Sequence, residues 1–183
     1  MPEPYQVVSS KRPYQGKILS VRVDEITLPN GRTAQREIVE RGSACGIVPV
    51  DKDGMIILVR QYRHALGRFT LEIPAGMMDA GEDPAGCAAR ELEEEIGRKA
   101  GKLSLLCKLD MSVGFCTEEL YLYLAEDLTE TAQNLDEDEF IEIERCALDE
   151  AVGLIASGEI TDSKTVAGLL AVKAGYASFL EQD

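Results

Sequence analysis

The stretch GMMDAGEDPAGCAARELEEEIG, residues 76–97, decides how the rest of the chain is read. It is a loop followed by a helix with both ends marked. Gly81 breaks the chain, Asp83 offers a side-chain oxygen to the first turn, and Pro84, which lacks an N–H, fits the first helical position. Gly97 supplies the left-handed conformation that ends such a helix. The spacing therefore predicts a helix over 84–96. Ala85, Ala88, Ala89, Leu92 and Ile96 recur at helical intervals and are expected to form its core face. Glu91, Glu94 and Glu95, at i, i+3 and i+4, are expected on a different face, with heads that can converge. Three like charges so close destabilise the fold unless a cation sits among them. All-oxygen ligation selects Mg²⁺, Mn²⁺ or Ca²⁺. Arg90 is placed to pair with Glu94 one turn on and with Glu82 in the preceding loop, so Arg90 and Glu82 are read as bracing the loop on the helix.

A glutamate-rich helix face is ordinarily just solvated, and the wider spacing is what lowers that reading here. Gly76 is followed after five residues by Glu82, after seven more by Arg90-Glu91-Leu92, then by Glu94-Glu95 and Gly97. Leaving aside Leu92, where any bulky aliphatic residue would serve, the seven fixed residues, each at average usage, coincide by chance roughly once in 10⁸ starts.

Composition narrows the chemistry further. The chain has 183 residues, 45% of them hydrophobic, enough for one ordinary globular domain with a small appendage. No apolar run approaches the roughly 18 residues of a membrane span. The first 14 residues are polar, contain Pro2, Pro4 and Pro13, and have no apolar signal region, so a cytoplasmic protein is expected. A net charge of −14 repels phosphate backbones and anionic membranes, so neither nucleic acid nor membrane is expected as a partner. The single histidine, His64, excludes a histidine triad or a His-ligated zinc site. The five cysteines are odd in number and lack a C-x-x-C pair, and are read as buried, reduced thiols. Hydrolytic chemistry would rest on carboxylates and a hard metal ion.

Around the helix the chain reads as strands. Residues 17–28 and 32–39 are joined by Pro29-Asn30-Gly31, a hairpin turn signal, and such a hairpin must pack on something. Residues 44–50 and 55–62, both rich in Ile, Val and Leu, are expected to form a second hairpin around Asp51-Lys52-Asp53-Gly54. A short strand over 69–74 runs into Ala75-Gly76. Residues 103–109, 119–125 and 140–146 are further strands, the last preceded by an acidic loop over 136–139. Helices are expected over 149–156 and 163–181.

The pattern of residues 76–97 resembles the box of the Nudix hydrolase family, G-x5-E-x7-R-E-U-x-E-E-x-G-U, where U is a bulky aliphatic residue. Every fixed letter is met, and Arg98 stands at the last U position. Arg36-Glu37-Ile38-Val39-Glu40, Arg60-Gln61-Tyr62-Arg63, Glu72-Ile73-Pro74-Ala75-Gly76, Gly114-Phe115-Cys116-Thr117-Glu118 and residues 136–140 and 158–165 are similar to the family's ADP-ribose pyrophosphatase branch. The resemblance covers nearly the whole chain. It implies an α/β fold: a Nudix-type α/β/α sandwich with a mixed sheet over 43–183, and a small N-terminal antiparallel β domain over 1–42, swapped across a homodimer. It implies Mg²⁺-dependent hydrolysis of ADP-ribose at its pyrophosphate bond to AMP and ribose 5-phosphate, with Mn²⁺ as a substitute ion.

The same resemblance implies the site. Glu91 and Glu95 are the principal metal ligands, Glu94 a further ligand that also counts among the catalytic residues, and the Ala75 backbone carbonyl joins them. Arg36 and Arg63 meet the phosphates or terminal ribose, which suits guanidinium forks in an acidic protein. Ile18 meets adenosine, Glu72 reaches a metal or the substrate, and Gly114 belongs to the substrate loop. The general base comes from the acidic loop, Glu139 first and Glu137 second. Val113 in Ser112-Val113-Gly114-Phe115 replaces a proline that relatives preferring ADP-ribose often carry. Two alternatives stay open: hydrolysis of another nucleoside diphosphate sugar or a dinucleotide, and a non-catalytic nucleotide-sugar sensor.

Overall fold

The computed structural model describes residues 5–135 and 139–176. They form two compact units, one of residues up to 43 together with 110–119, the other of residues 44–109 and those from 120 onward.

In the N-terminal unit three antiparallel strands lie in the order β1 (Gln6–Gln15), β2 (Leu19–Thr27) and β3 (Thr33–Arg41). The β2–β3 turn forms where Asn30-Gly31 predicts it. Gly31 takes φ +79, its N–H donates to the Leu28 carbonyl, and Asn30 Oδ1 accepts from the Arg32 N–H. β1 is not anticipated by the sequence reading, which treats these residues as a polar terminus. Every residue of β1 is exposed, so no apolar alternation marks it. Pro13 falls within a register shift between Lys11 and Tyr14, a place where a missing N–H is tolerated. Residues 115–117 join this unit by main-chain bonds: Val39 N–H to the Phe115 carbonyl (2.7 Å) and Thr117 N–H to the Val39 carbonyl (3.0 Å).

The larger unit contains β4 (Ala44–Pro49), β5 (Met55–Arg63), β6 (Arg68–Glu72), β7 (Ala75–Met77), α1 (Pro84–Ile96), β8 (Arg98–Lys99), β9 (Lys102–Asp110), β10 (Glu119–Glu126), β11 (Thr129–Glu130), β12 (Ile141–Ala147), α2 (Leu148–Ser157) and α3 (Ser163–Lys173). One sheet runs β7-β4-β10-β9 and is mixed, since β4 is parallel to β10 and antiparallel to β7. A second, antiparallel sheet runs β12-β5-β6, and β11 pairs with β8.

β4 and β5 are strands as expected, but they do not form a hairpin. An isolated bridge from Val50 to Ile56 joins them beside a turn in which Gly54, at φ +76, donates to the Asp51 carbonyl. Beyond it the two strands enter different sheets. Both are apolar along most of their length, and that composition carries no information about which partner a buried strand takes.

β4 carries no charged side chain, its one polar group being the Cys45 thiol, and every residue of it is buried. Its side chains alternate between faces. Cys45 and Ile47 pack with Cys87, Ala88, Leu92 and Ile96 of α1. On the other face α3 approaches so closely at Gly168 that a Cβ there would lie 2.8 Å from Val48 Cγ2 and 3.5 Å from Ile73 Cδ1. Helices on both faces of the sheet give the α/β/α layering that the resemblance implies. Leu92 is fully buried at this seam, and truncating it to alanine is expected to remove about 2–5 kcal/mol of stability.

α1 spans its predicted residues. Asp83 Oδ1 accepts from Ala85 and Gly86 N–H, both at 3.1 Å, and Gly97 closes the helix at φ +60. Its buried face differs from the expected one. Cys87, Ala88, Glu91, Leu92, Glu95 and Ile96 are buried, whereas Ala85 and Ala89 are exposed. Alanines bury too little area to set a helix's rotation. Cys87, Leu92 and Ile96 set it, and their arc carries Glu91 and Glu95 inward. α3 stops at Lys173 rather than continuing to 181, with Gly175 at φ +68 just beyond; residues from 177 lie outside those described. The cysteines are unbridged, with Cys45, Cys87 and Cys146 buried and Cys107 and Cys116 half-buried. Among the described residues no helix is long and apolar enough to cross a membrane.

Candidate active site

β7 and α1 bring Gly76 against Glu91. A Cβ at residue 76 would lie 2.0 Å from Glu91 Oε1, so only glycine fits while the carboxylate stays in place. Next to it, the Ala75 N–H donates to Glu95 Oε2 at 3.1 Å. Glu91 and Glu95 are only 8% and 3% exposed. Burial raises both carboxyls above the usual range. Glu95 is pushed up to about 8, by burial first and by the charge of Glu91 second, with the Ala75 hydrogen bond pulling the other way. For Glu91 the Arg90 hydrogen bond and charge offset part of the burial, while Glu94 and Glu139 raise it further.

Arg90 organises the loop. Its Nε and Nη2 donate to the two Glu82 oxygens at 2.9 and 3.0 Å, and Nη2 also reaches the Met77 carbonyl at 3.1 Å. Nη1 donates to Glu91 Oε1 at 2.7 Å and Glu94 Oε2 at 2.8 Å. The Arg90 bond, with the Asp79 N–H, holds the Glu82 carboxyl down at about 2. The expected convergence of Glu91, Glu94 and Glu95 on one point is not realised. Arg90 bonds both Glu91 and Glu94, while Glu95 reaches back to Ala75. Among the described residues, no three His, Cys, Asp or Glu side chains form a ready metal cage. Gly76, Arg90, Glu91, Glu94, Asn134 and Glu139 line a cleft of about 230 Å³.

The run after β11 lies across the end of α1. Thr131 N–H donates to the Gly97 carbonyl and Asn134 N–H to the Glu94 carbonyl, both at 3.0 Å, and Gln133 Nε2 donates to the Glu95 carbonyl at 2.6 Å. These carbonyls have no partner inside the helix, so the run replaces solvent at the helix end. Arg98, where the family pattern has an aliphatic residue, sits in β8, donates to the Gly97 carbonyl at 3.1 Å and pairs with Glu130 at 3.4 Å.

A second buried carboxylate stands on β6. Glu72 is 2% exposed. Arg63 grips it with Nε to Oε1 at 2.8 Å and Nη2 to Oε2 at 2.7 Å, Thr70 Oγ1 donates to Oε1 at 2.6 Å, and Lys164 bonds Oε2. Burial alone would raise this carboxyl, but Arg63, Lys164 and Thr70 outweigh it and bring it down to about 2.

Glu91, Glu94 and Glu139 thus share one cleft, Ala75 and Glu95 meet beside it, and Arg63 and Glu72 form one pair, all in the larger unit. Arg36, Ile18 and Gly114 belong to the N-terminal unit. Arg36 is exposed on β3, with Nη1 donating to the Gln35 carbonyl. Ile18, 58% exposed, lines a cavity of about 330 Å³ with Glu40, Arg41 and Thr117. Gly114 is exposed, and a Cβ there would meet nothing within 4 Å among the described residues. Glu137 lies outside the described residues. Lys164 falls in the stretch 158–165 that resembles the family but has no role assigned to it by the sequence, and neither have Gln133 and Asn134. Asp162 and Thr165 advertise a helix start, but nothing local tells that Lys164 meets a carboxylate 92 positions away.

Comparison with known proteins places this arrangement. Residues 40–169 match the model described as NUDIX domain, and residues 5–39 match that of the nucleoside diphosphate sugar hydrolase N-terminal domain. The chain is 40% identical over 162 residues to an ADP-ribose pyrophosphatase of Bacillus subtilis (strain 168), covering 87% of this chain and 88% of the relative. It is 39% identical over 163 residues to a methanol dehydrogenase activator of Bacillus methanolicus, covering 88% of each. A crystal structure of an ADP compounds hydrolase superposes with a TM-score of 0.87 at 24% identity, over 99% of this chain and 96% of the other, and shares its fold. The domain model takes in most of the chain, including the glycine, arginine and glutamates whose packing is described above, and on that match the chain belongs to the Nudix family.

Proposed function

We propose that the protein hydrolyses the pyrophosphate bond of ADP-ribose, giving AMP and ribose 5-phosphate, with Mg²⁺ as its ion and Mn²⁺ as a substitute. The observation that carries this reading is the pair Glu91 and Glu95, two buried carboxyls on the box helix, both raised above their usual range. The relative at 40% identity bears the name of this activity. The donor set fits a hard divalent ion: carboxylates of Glu91, Glu94 and Glu95 and the backbone carbonyl of Ala75 offer only oxygen. When bound, such an ion polarises the phosphoryl group and lowers the pKa of the attacking water.

The chain's own residues do the rest. Arg90, by holding Glu82 and the Met77 carbonyl, keeps the loop down so that Gly76 stays against Glu91. The Ala75 N–H orients Glu95. Glu139, which faces the cleft with Glu91 and Glu94, is assigned the proton of the attacking water, with Glu137 the second choice. Arg63 spends Nε and Nη2 on Glu72 and offers Nη1 to a phosphate. Arg36, Ile18 and Gly114 are the N-terminal unit's contribution to substrate binding, and Glu72 acts on the substrate through Arg63. The protein works in the cytoplasm as a homodimer with the β domain of residues 1–42 exchanged. That arrangement is supported by Val7, Val8 and Tyr14 on β1 and Tyr5 just before it, each more than half exposed on or beside a three-stranded sheet that needs cover.

The test is a Mg²⁺-dependent assay over ADP-ribose, other nucleoside diphosphate sugars, dinucleotide polyphosphates and NADH, with products identified. AMP and ribose 5-phosphate from ADP-ribose, at the highest kcat/KM of the panel, is the expected result. No hydrolysis of any substrate overturns the reading, and preference for another sugar nucleotide moves it to that substrate. The name of the Bacillus methanolicus relative favours a second reading, in which the chain acts on a dehydrogenase partner. Methanol dehydrogenase turnover with and without the chain tests that reading.

A further inference from the structure

Glu72 is more heavily bonded than one arginine partner requires. An ionised carboxylate offers about four acceptor positions. Here Arg63 takes two, Thr70 one and Lys164 one. Lys164 is itself nearly buried, and its Nζ also donates to Asp162 Oδ2 at 3.0 Å. Asp162 is fixed in turn. It caps α3 by accepting from the Thr165 N–H at 3.0 Å, and it accepts from the Thr165 hydroxyl at 2.6 Å. That hydroxyl accepts from the Ile73 N–H at 2.9 Å. The start of α3 is thereby stapled to the backbone beside Glu72, and the ring Ile73, Thr165, Asp162, Lys164, Glu72 closes on itself.

We infer that Lys164 is a positioning residue for Arg63, setting through Glu72 the charge and orientation with which Arg63 meets the substrate's diphosphate. This rests on the reading above that Arg63 binds phosphate. With Lys164 present, Arg63 and Lys164 balance Glu72 and Asp162. Without it, Arg63 faces an excess negative charge, which opposes an incoming anion. Glu72 also loses the hold on Oε2 that comes from α3, so the fork on Arg63 loosens. The binding of the diphosphate suffers and the chemical step does not, which is the signature of lost uniform binding.

The test uses the full chain with saturating Mg²⁺ and ADP-ribose. Lys164→Met is expected to raise KM roughly tenfold, the effect of one hydrogen bond to a charged group, with kcat within about twofold. In an Arg63→Ala background the same substitution is expected to change KM by less than about twofold, because its route of action is gone. The same KM factor in both backgrounds, or a fall in kcat at constant KM, overturns the proposal. Should Lys164→Met not fold, Lys164→Gln keeps a donor to Glu72 and removes only the charge; an unchanged KM there also overturns it. The two readings fail separately. Arg63→Ala with unchanged KM removes the phosphate role of Arg63 and the proposal with it. Arg63→Ala that raises KM beside a silent Lys164→Met removes the positioning role alone.

Discussion

Glu72 and Glu95 are the same residue type at nearly the same burial, 2% and 3% exposed, and their carboxyls lie at opposite extremes, about 2 and about 8. The difference is what surrounds them. Glu72 has two cations supplied by the chain, Arg63 and Lys164. Glu95 has like charges, Glu91 first and Glu139 after it, offset only by a single backbone N–H and the weak charge of Arg63, which makes no bond to it. Burial penalises both ions equally in kind. Where the chain supplies the countercharge, the carboxylate contributes to the fold. Where it does not, the carboxylate is a liability to the fold that only an outside cation relieves.

Substitutions that neutralise each carboxyl should therefore act on different quantities. Glu95→Gln is expected to lower kcat by roughly a thousandfold while leaving the metal-free unfolding midpoint unchanged or higher. Near-normal turnover under saturating Mg²⁺ would dissolve the contrast. Glu72→Gln should do the reverse, leaving the nearly buried Lys164 and the half-exposed Arg63 short of a partner and lowering the unfolding free energy by about 3 kcal/mol in urea titrations. A stable Glu72→Gln protein would mean the pair contributes little to the fold.

The pH dependence of stability in the metal-free protein carries both effects, with opposite signs. Glu95 titrates near 8 when folded against an ordinary 4.5, so the folded state binds more protons in that window and stability falls as pH rises through it. Glu72 titrates near 2, so its stabilisation is complete above about 4.5 and is lost as pH falls toward 2. Metal-free protein should be most stable near pH 5, losing about 3 kcal/mol by pH 8, and Mg²⁺ should flatten the alkaline side. A profile level from pH 5 to 8 in chelator would contradict the raised Glu95. The smallest effect is expected from Thr70→Val, which removes one of the bonds to Glu72 Oε1 and should lower stability by about 1 kcal/mol without altering kcat.

The two carboxylates were not equally legible in the sequence. Glu95 lies in a box whose ends are punctuated by Asp83, Pro84 and Gly97, residues with local backbone reasons to be where they are, and the helix bounds follow from them. Which way that helix faces does not follow, because glutamates are counted as water-seeking and two of them are buried. The Asn30-Gly31 turn is legible for the same local reason, while the partners of β4 and β5 are set by packing that apolar composition cannot express. β1 has no buried face to betray it. Glu72 could be suspected, but its meaning depends on Lys164, brought to it by the docking of α3, and no short-range pattern encodes that meeting.

The run across the end of α1 has a spectroscopic consequence. The amide protons of Thr131 and Asn134 are bonded to the Gly97 and Glu94 carbonyls, so they lie outside the helix yet open only when the run parts from the helix end or that end itself opens. Their solvent exchange rates therefore form a built-in gauge of the turn that bears Glu94 and Glu95. An ion that tightens this turn would slow both amides together, allowing its arrival to be followed in the full chain with no substrate and no turnover.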